Sequence, residues 1–309
     1  MTPFVEILRP GLHTTIQDLG RPGYRQFGIP TGGALDWLSH CNANQALDNS
    51  PLAPTLEIIG PGLSMKFKAY GKISVFGAEV ELRLNSLAQA VNEVHYVGPG
   101  DVLEFGKQQL GHINYLAVEG GWEGDQKFGS YATLTRTKWG GCQGRILKKG
   151  DLLSKSDVER AQNLPSQYEV PLAEDEIRFL AGPESNAEIL KRMQKETWCK
   201  SQLGDRIGHR IETNTPLVLD QHDIQSSPIS AGTIQVPANG QPIVLLNDSA
   251  STGGYARVGN IIAVDLPAFC QLQPGSTFKL KQISTREALQ ALKPFREPFS
   301  LLLRSPIPR

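Results

Sequence analysis

Apolar residues fall along this chain in short runs rich in β-branched side chains and bounded by turn residues, a pattern of strands rather than of long helices. Residues 73–76, 80–84, 102–105, 113–118, 217–219, 233–236, 243–246 and 261–264 are the predicted strands. In 80–84, Val80, Leu82 and Leu84 alternate with Glu81 and Arg83, which places one face in the core and the other in water. Residues 243–246 are apolar throughout and should lie deeper. Pro22-Gly23, Pro61-Gly62, Pro99-Gly100, Asn239-Gly240 and Pro274-Gly275 supply the positive-φ positions of tight turns. A glycine and a polar residue precede a strand at Gly100-Asp101, Gly150-Asp151 and Gly275-Ser276, a device compatible with two related barrels. Three helices are expected. Residues 34–47 follow Gly32-Gly33 with Asp36 in the first turn; 184–199 carry an Ile189, Leu190, Met193 stripe; and Ser284 to Glu287 has the form of a capping box. The expected class is mainly β, barrel or sandwich, with a few peripheral helices.

At 309 residues the chain has room for two units. The polar stretch 154–176, with Pro165 and Pro171, is the expected boundary, giving an N-terminal lobe 1–165 and a C-terminal lobe 166–309. The tail 294–309 holds four prolines and Leu301-Leu302-Leu303, features of a segment that docks. Lys+Arg and Asp+Glu are both 31, whereas a grip on polyphosphate normally requires a basic excess, so nucleic acid is not an expected partner. No apolar run approaches the roughly 20 residues that cross a bilayer, and residues 1–10 lack a signal-peptide layout, so no membrane partner and a cytoplasmic location are expected. Cys41, Cys142, Cys199 and Cys270 lie far apart and read as buried thiols. The six histidines show no metal-ligand spacing, so no metal site is assigned. There is no P-loop, HExxH, GxSxG or GxGxxG.

The candidate chemistry gathers in three stretches. Residues 11–36, GLHTTIQDLGRPGYRQFGIPTGGALD, set Asp18, Arg21, Tyr24, Arg25 and Asp36 among glycines, including Gly32 and Gly33 ahead of a helix. Glycines let backbone N–H groups approach a ligand and Arg offers a planar fork to an anion; equally, Asp18 and Arg21 could only fix a turn. Residues 139–151 place Arg145 after glycines, with Arg136 upstream; Arg145 lines a site or is salt-bridged on a hairpin rim. The third stretch joins Arg206, His209 and Arg210 to residues 232–257, where Gln235, Gln241, Asp248, Thr252, Gly253, Gly254, Tyr255 and Arg257 flank strands. Amides, guanidinium groups and loop N–H donors stabilise negative charge developing on an amide or urea oxygen.

With these segments the chain resembles the family of the prokaryotic 5-oxoprolinase C subunit, also called KipA or allophanate hydrolase subunit 2, whose members are related to the carboxyltransferase domain of urea carboxylase. The resemblance runs in order through the 11–36 stretch, Leu56-Glu57-Ile58, Tyr115 to Gly121, Gly129-Ser130, Gly140-Gly141, Gly144-Arg145, Gly182-Pro183, Arg206-Ile207-Gly208, GTIQVPANGQPIVLLNDSASTGGYARVG and Ala263 to Pro267. It implies a two-lobed cyclophilin-like β-barrel architecture and a hetero-oligomer with the KipI-like B subunit and the A subunit of 5-oxoprolinase. The implied activity is ATP-dependent opening of 5-oxoproline to glutamate, with ATP and Mg as cofactors of the assembled complex and with this chain inactive alone. Under that reading Asp18, Arg21, Arg206, Gln235, Gln241, Asp248 and Tyr255 are the catalytic candidates. Tyr24, Arg25, Gly32, Gly33, Asp36, Arg145, Arg210, Thr252, Gly253, Gly254 and Arg257 are the substrate-binding ones. Two alternatives accompany it: a regulatory protein that binds a KipI-like kinase inhibitor, and a carboxyltransferase component acting on a urea-like substrate with biotin from a partner. The chain departs from the family's usual forms at three places: Ala250 stands for a glutamine, Ala256 for a proline, and Gly204 for a serine.

Overall fold

The computed structural model describes residues 3–156 and 176–295. Its first sheet contains β1 (Val5–Pro10), β2 (His13–Gln17), β3 (Thr55–Ile59), β4 (Leu63–Phe67), β5 (Gly71–Leu84), β6 (Leu87–Gln89), β7 (Glu93–Val97), β8 (Val102–Val118) and β9 (Leu152–Leu153). These run in the order β2-β3-β8-β4-β1-β9, with β5 also on β8 and carrying β6 and β7, and the sheet curls into a half-barrel. The second contains β10 (Glu176–Ala181), β11 (Thr197–Gly204), β12 (Gly208–Glu212), β13 (Asp223–Pro228), β14 (Thr233–Val236), β15 (Ile243–Leu245), β16 (Thr252–Ile261) and β17 (Thr277–Gln282). Here β10-β17-β11-β12-β15-β14-β16 returns to β10, a closed seven-strand barrel with β13 added along β16. Closure leaves those seven strands without a free edge. The molecule is thus mainly β and two-lobed, as expected, although only one lobe closes. The expected boundary between residues 165 and 166 and most of the tail lie outside the described residues.

Two predicted strand pairs are single long strands. Residues 73–76 and 80–84 belong to β5, and 102–105 and 113–118 to β8; register shifts beyond Gly77 break the pairing without ending either strand. The alternation in 80–84 is observed, with Val80 and Leu82 buried and Glu81 and Arg83 exposed. Residues 217–219 are not a strand, but Leu217 and Leu219 are buried in the core. The strand expected at 261–264 ends at Ile261, because Asp265 and Pro267 start a helix there.

The helices are α1 (Trp37–Gln45), α2 (Ala187–Lys195), α3 (Leu266–Gln271) and α4 (Thr285–Leu292). α2 is shorter than 184–199, since Asn186 caps it and residues from Thr197 enter β11. The expectation of peripheral helices fails for α1 and α3, all of whose residues are buried. α1 is buried although rich in polar residues, and partners supply the compensation such burial needs. His40 meets Thr55 Oγ1 and Pro51 O at 2.9 Å, and Asn44 Nδ2 donates to Ala53 O at 2.8 Å. One core fills the first sheet around Phe67 and Trp122. A larger one joins Leu35, Phe76 and Tyr115 of the first half to Trp198, Ile234 and Phe269 of the second, so the lobes share an apolar interior. Among the described residues, no helix is long and apolar enough to cross a membrane.

Candidate functional site

The seam between the lobes is organised by one buried guanidinium. Arg206 lies between β11 and β12 and is 4% exposed. It holds Asp248 bidentately, Nε to Oδ2 and Nη2 to Oδ1 both at 3.0 Å, donates through Nη1 to Glu57 Oε1, and reaches Gly33 O at 2.7 Å. Burial works against its charge, but the carboxylates of Asp248 and Glu57 outweigh that and raise its pKa above the ordinary arginine range. Glu57, from the middle of β3, also accepts from Tyr115 Oη at 2.7 Å and from Leu35 N at 2.9 Å. Tyr115 Oη in turn accepts from Asp36 N. The segment 33–36 is therefore threaded between the first sheet and Arg206.

Residues 18–36 serve mainly as the connecting strap. Asp18 is buried and accepts from Gly20 N, Ser130 Oγ and Tyr131 N at 2.7–2.8 Å; burial pushes its pKa up against the pull of those donors. Arg21, fully buried, donates through Nη2 to Ala132 O at 2.5 Å, while its Nη1 has no partner. The two side chains thus fix the turn, the structural alternative for this pair. Gly20 and Gly33 have φ of +84° and +88°, and a Cβ on Gly33 would come within 2.7 Å of Gly20 N. Gly32 N donates to Asn247 O at 3.0 Å, and Arg25 Nη2 reaches Ile229 O and Ala250 O at 2.8 and 2.7 Å, so this strap grips the barrel. Tyr24 packs against Phe27 and Phe128. α1 starts at Trp37, not 34, because Asp36 is its N-cap, accepting from Ser39 N at 3.0 Å. Asp36 is fully buried and also accepts from Gln271 Nε2. It closes the helix N-terminus instead of offering it to a substrate.

Other candidates lie elsewhere. Arg145 forms a two-pronged pair with Asp151 at 2.7 and 2.9 Å, the rim arrangement. Arg257 is paired with Glu184. Gln241 bonds both backbone groups of Thr213 and, with Arg210, lines a separate depression. Gln235 is buried and donates to Tyr255 O. Thr252, Gly253 and Gly254 run in β16 beside β13, and Tyr255 is 42% exposed. One cavity lined by all seven catalytic candidates is therefore not what the fold builds: Arg206 and Asp248 line a common cavity, Gln241 lines the separate depression beside the Thr213 turn, and Asp18, Arg21, Gln235 and Tyr255 line neither. Glu57, Tyr115, Asn247 and Gln271 join the buried hydrogen-bond network around Arg206 and the 33–36 segment instead. Glu57 was readable as a lone acid inside the apolar run of β3, a position where a charge must be paired.

Two cavities meet at Arg206, sharing His13 and Asp205 as well. One, of about 400 Å³, is lined by Asp248, Ala250, Gly28 and the loop Leu134 to Thr137, including Arg136. The other, of about 220 Å³, is lined by Lys200, His112, His209 and apolar residues. The first combines a carboxylate acceptor locked in place with a rim arginine, a set able to hold an anionic amide and take up a proton. Among the described residues, no group of three or more His, Cys, Asp or Glu is placed to hold a metal ion.

Comparison with known proteins agrees with this architecture. Residues 27–282 match the model of the carboxyltransferase domain, subdomain A and B. The chain is 33% identical over 289 residues to the 5-oxoprolinase C subunit of Haemophilus influenzae, covering 92% of this chain and 93% of that one. It is 36% identical over 295 residues to the 5-oxoprolinase C subunit of Escherichia coli, covering 93% and 94%. The structure of K. lactis urea amidolyase superposes with a TM-score of 0.88 at 27% identity, over 98% of this chain but only 20% of that longer one. The match of residues 27–282 to the carboxyltransferase-domain model, with 33–36% identity to two 5-oxoprolinase C subunits over more than nine-tenths of each chain, places this chain in the carboxyltransferase-domain family, beside the 5-oxoprolinase C subunits.

Proposed function

We propose that this chain is the C subunit of an ATP-dependent 5-oxoprolinase that opens 5-oxoproline to glutamate together with A and B subunits. The observation that carries the reading is identity above 30% with two 5-oxoprolinase C subunits across more than nine-tenths of each chain. The cavity over Arg206 fits the task. Arg136 on its rim offers a fork to the substrate carboxylate, and Asp248, held by Arg206, takes a proton from the attacking water and returns it to the ring nitrogen as the C–N bond breaks. Ala250 on the same wall leaves more room than the glutamine usual in the resembling family. The donors here do not fit a magnesium nucleotide, because Arg206 is engaged by two carboxylates and a carbonyl and Asp248 by Arg206. No step on the nucleotide is assigned to these residues.

The test is ATP-dependent glutamate release from 5-oxoproline by the co-expressed A and B subunits, with and without this chain. A rate that needs this chain is expected, and equal rates would overturn the proposal. Replacing Arg136 by Gln should raise KM by about tenfold or more, the scale of one lost charge-assisted contact, with a smaller change in kcat. The likeness to urea amidolyase favours a second reading, carboxyl transfer to a urea-like acceptor. That reaction requires a biotinylated partner, which a streptavidin blot of the purified complex would reveal. Pull-down of the B subunit without turnover would instead favour a regulatory role.

A further inference from the structure

Outward-facing residues of the barrel build a polar depression of about 600 Å³ that shares no lining residue with the two cavities at Arg206. Trp198 and Lys200 of β11 and Ile211 of β12 are buried, so the alternation of a strand turns Thr197, Cys199, Arg210 and Glu212 to the outside. Thr277 pairs with Cys199 and Cys199 with Glu212, which lays one row across β17, β11 and β12. Arg210 stands two residues from Glu212 on the same face, about 6.6 Å along the strand. Another wall is the Thr213 turn, which Gln241 holds by both backbone groups of Thr213.

Arg210 is the exception among the arginines. Each other buried or half-buried arginine of the described residues is held by a carboxylate or a carbonyl. Arg210 is half-buried, yet its guanidinium makes no hydrogen bond or ion pair with any described residue. Its neighbour Glu212 does not take it up: that carboxylate accepts from Ser201 Oγ and forms no ion pair among the described residues. A guanidinium drawn partly out of water without a counter-charge costs free energy, and a carboxylate is the partner that fits its planar fork. The Glu212 carboxylate in turn suits a cation. A ligand with only one charge would satisfy one of the two and face the other; a ligand that carries a carboxylate and an ammonium on adjacent atoms meets both. The side chains of Thr197, Thr277 and Asn214 add uncommitted hydroxyl and amide groups, and Leu203, 67% exposed, adds an aliphatic surface.

We infer that this depression binds a free α-amino acid as its zwitterion, with the carboxylate on the Arg210 fork and the ammonium on Glu212. The site is separate from the Asp248 cavity and stands on the barrel's geometry. Only the choice of glutamate as probe rests on the oxoprolinase reading, whose product it is.

The test is isothermal titration calorimetry of the full chain with L-glutamate. The comparators are glutarate, which keeps both carboxylates and lacks the ammonium, and n-butylammonium, which lacks any carboxylate. Saturable binding of glutamate is expected, with each comparator weaker by about tenfold or more, the scale of one lost charge-assisted contact. Arg210→Gln should weaken glutamate binding by the same factor and leave the urea midpoint unmoved, because the guanidinium has no partner in the protein to lose; a midpoint that falls would show a structural role and overturn the inference. Should that variant fail to fold, Glu212→Gln decides: it should weaken glutamate and leave glutarate unchanged. The inference is also overturned if glutamate does not saturate, if either comparator binds as tightly, or if a folded variant binds glutamate as the parent does, the result expected were glutamate seated in the Asp248 cavity. Neither ATP nor the partner subunits enter the measurement, so its failure leaves the oxoprolinase reading standing.

Discussion

A buried ion cluster is most sensitive to loss of one member, because the remaining charges keep their desolvation cost and lose their compensation. Glu57→Gln would keep the shape of β3 but remove the carboxylate shared by Arg206, Tyr115 and Leu35 N. It should lower unfolding free energy by roughly 3 kcal/mol, measured as a fall in the urea midpoint at unchanged m-value. His40 gives a pH signature. Fully buried, it has a folded pKa drawn by burial from 6.5 to about 4. Above pH 6.5 both folded and unfolded forms are neutral and stability is complete. As pH falls below 6.5 the unfolded chain takes a proton that the folded one refuses, so stability drops until about pH 4, by a total on the order of 3 kcal/mol. His40→Gln should flatten that slope in urea titrations between pH 7 and 4. At this scale the sequence is informative about types but less so about geometry. Asp18, Arg21, Arg206 and Asp248 all stand out in it, yet which of them hold the protein together and which face a cavity depends on partners 42 to 149 residues away.

Among elements, agreement followed local chemistry. Residues 233–236 form β14 as the pattern predicts, and Ser284 with Glu287 makes the reciprocal capping box of α4. Gly23, Gly62, Gly100, Gly240 and Gly275 all adopt positive φ. Misses followed tertiary context. α3, six residues long, is too short to show a period, and α1 carries so little amphipathic signal that its burial on every side was not readable from polar letters such as Asn42 and Asn44. α3 depends on a distant side chain, since Lys200 of β11 collects three carbonyls at its C-terminal end. Lys200→Met should cost about 2 kcal/mol, because it leaves buried acceptors unpaired. Hydrogen exchange should show the loss concentrated at residues 266–275, with β1 to β4 unaffected in relative protection.

At the scale of the molecule, the shared core predicts one cooperative transition. Trp122 lies in the core of the first sheet and Trp198 in the joint core, both fully buried. Single-tryptophan proteins reporting on each should give coincident urea curves, matching that from far-UV circular dichroism; two separated midpoints would show that the lobes unfold independently. Two lobes were legible in the sequence because turn residues and β-branched runs recur through both halves. The closed ring and the open curl were not, since closure rests on β10 pairing with β16, far along the chain.

That closure has a consequence for synthesis. β17 stands between β10 and β11 in the ring and is the last stave to emerge from the ribosome. The curled sheet can assemble once Leu153 is out, but the barrel stays open, with two raw edges, until Gln282 has cleared the exit tunnel. A nascent chain paused between those points carries half a shared interior with nothing to cover it, so its need for chaperone protection should peak late in translation.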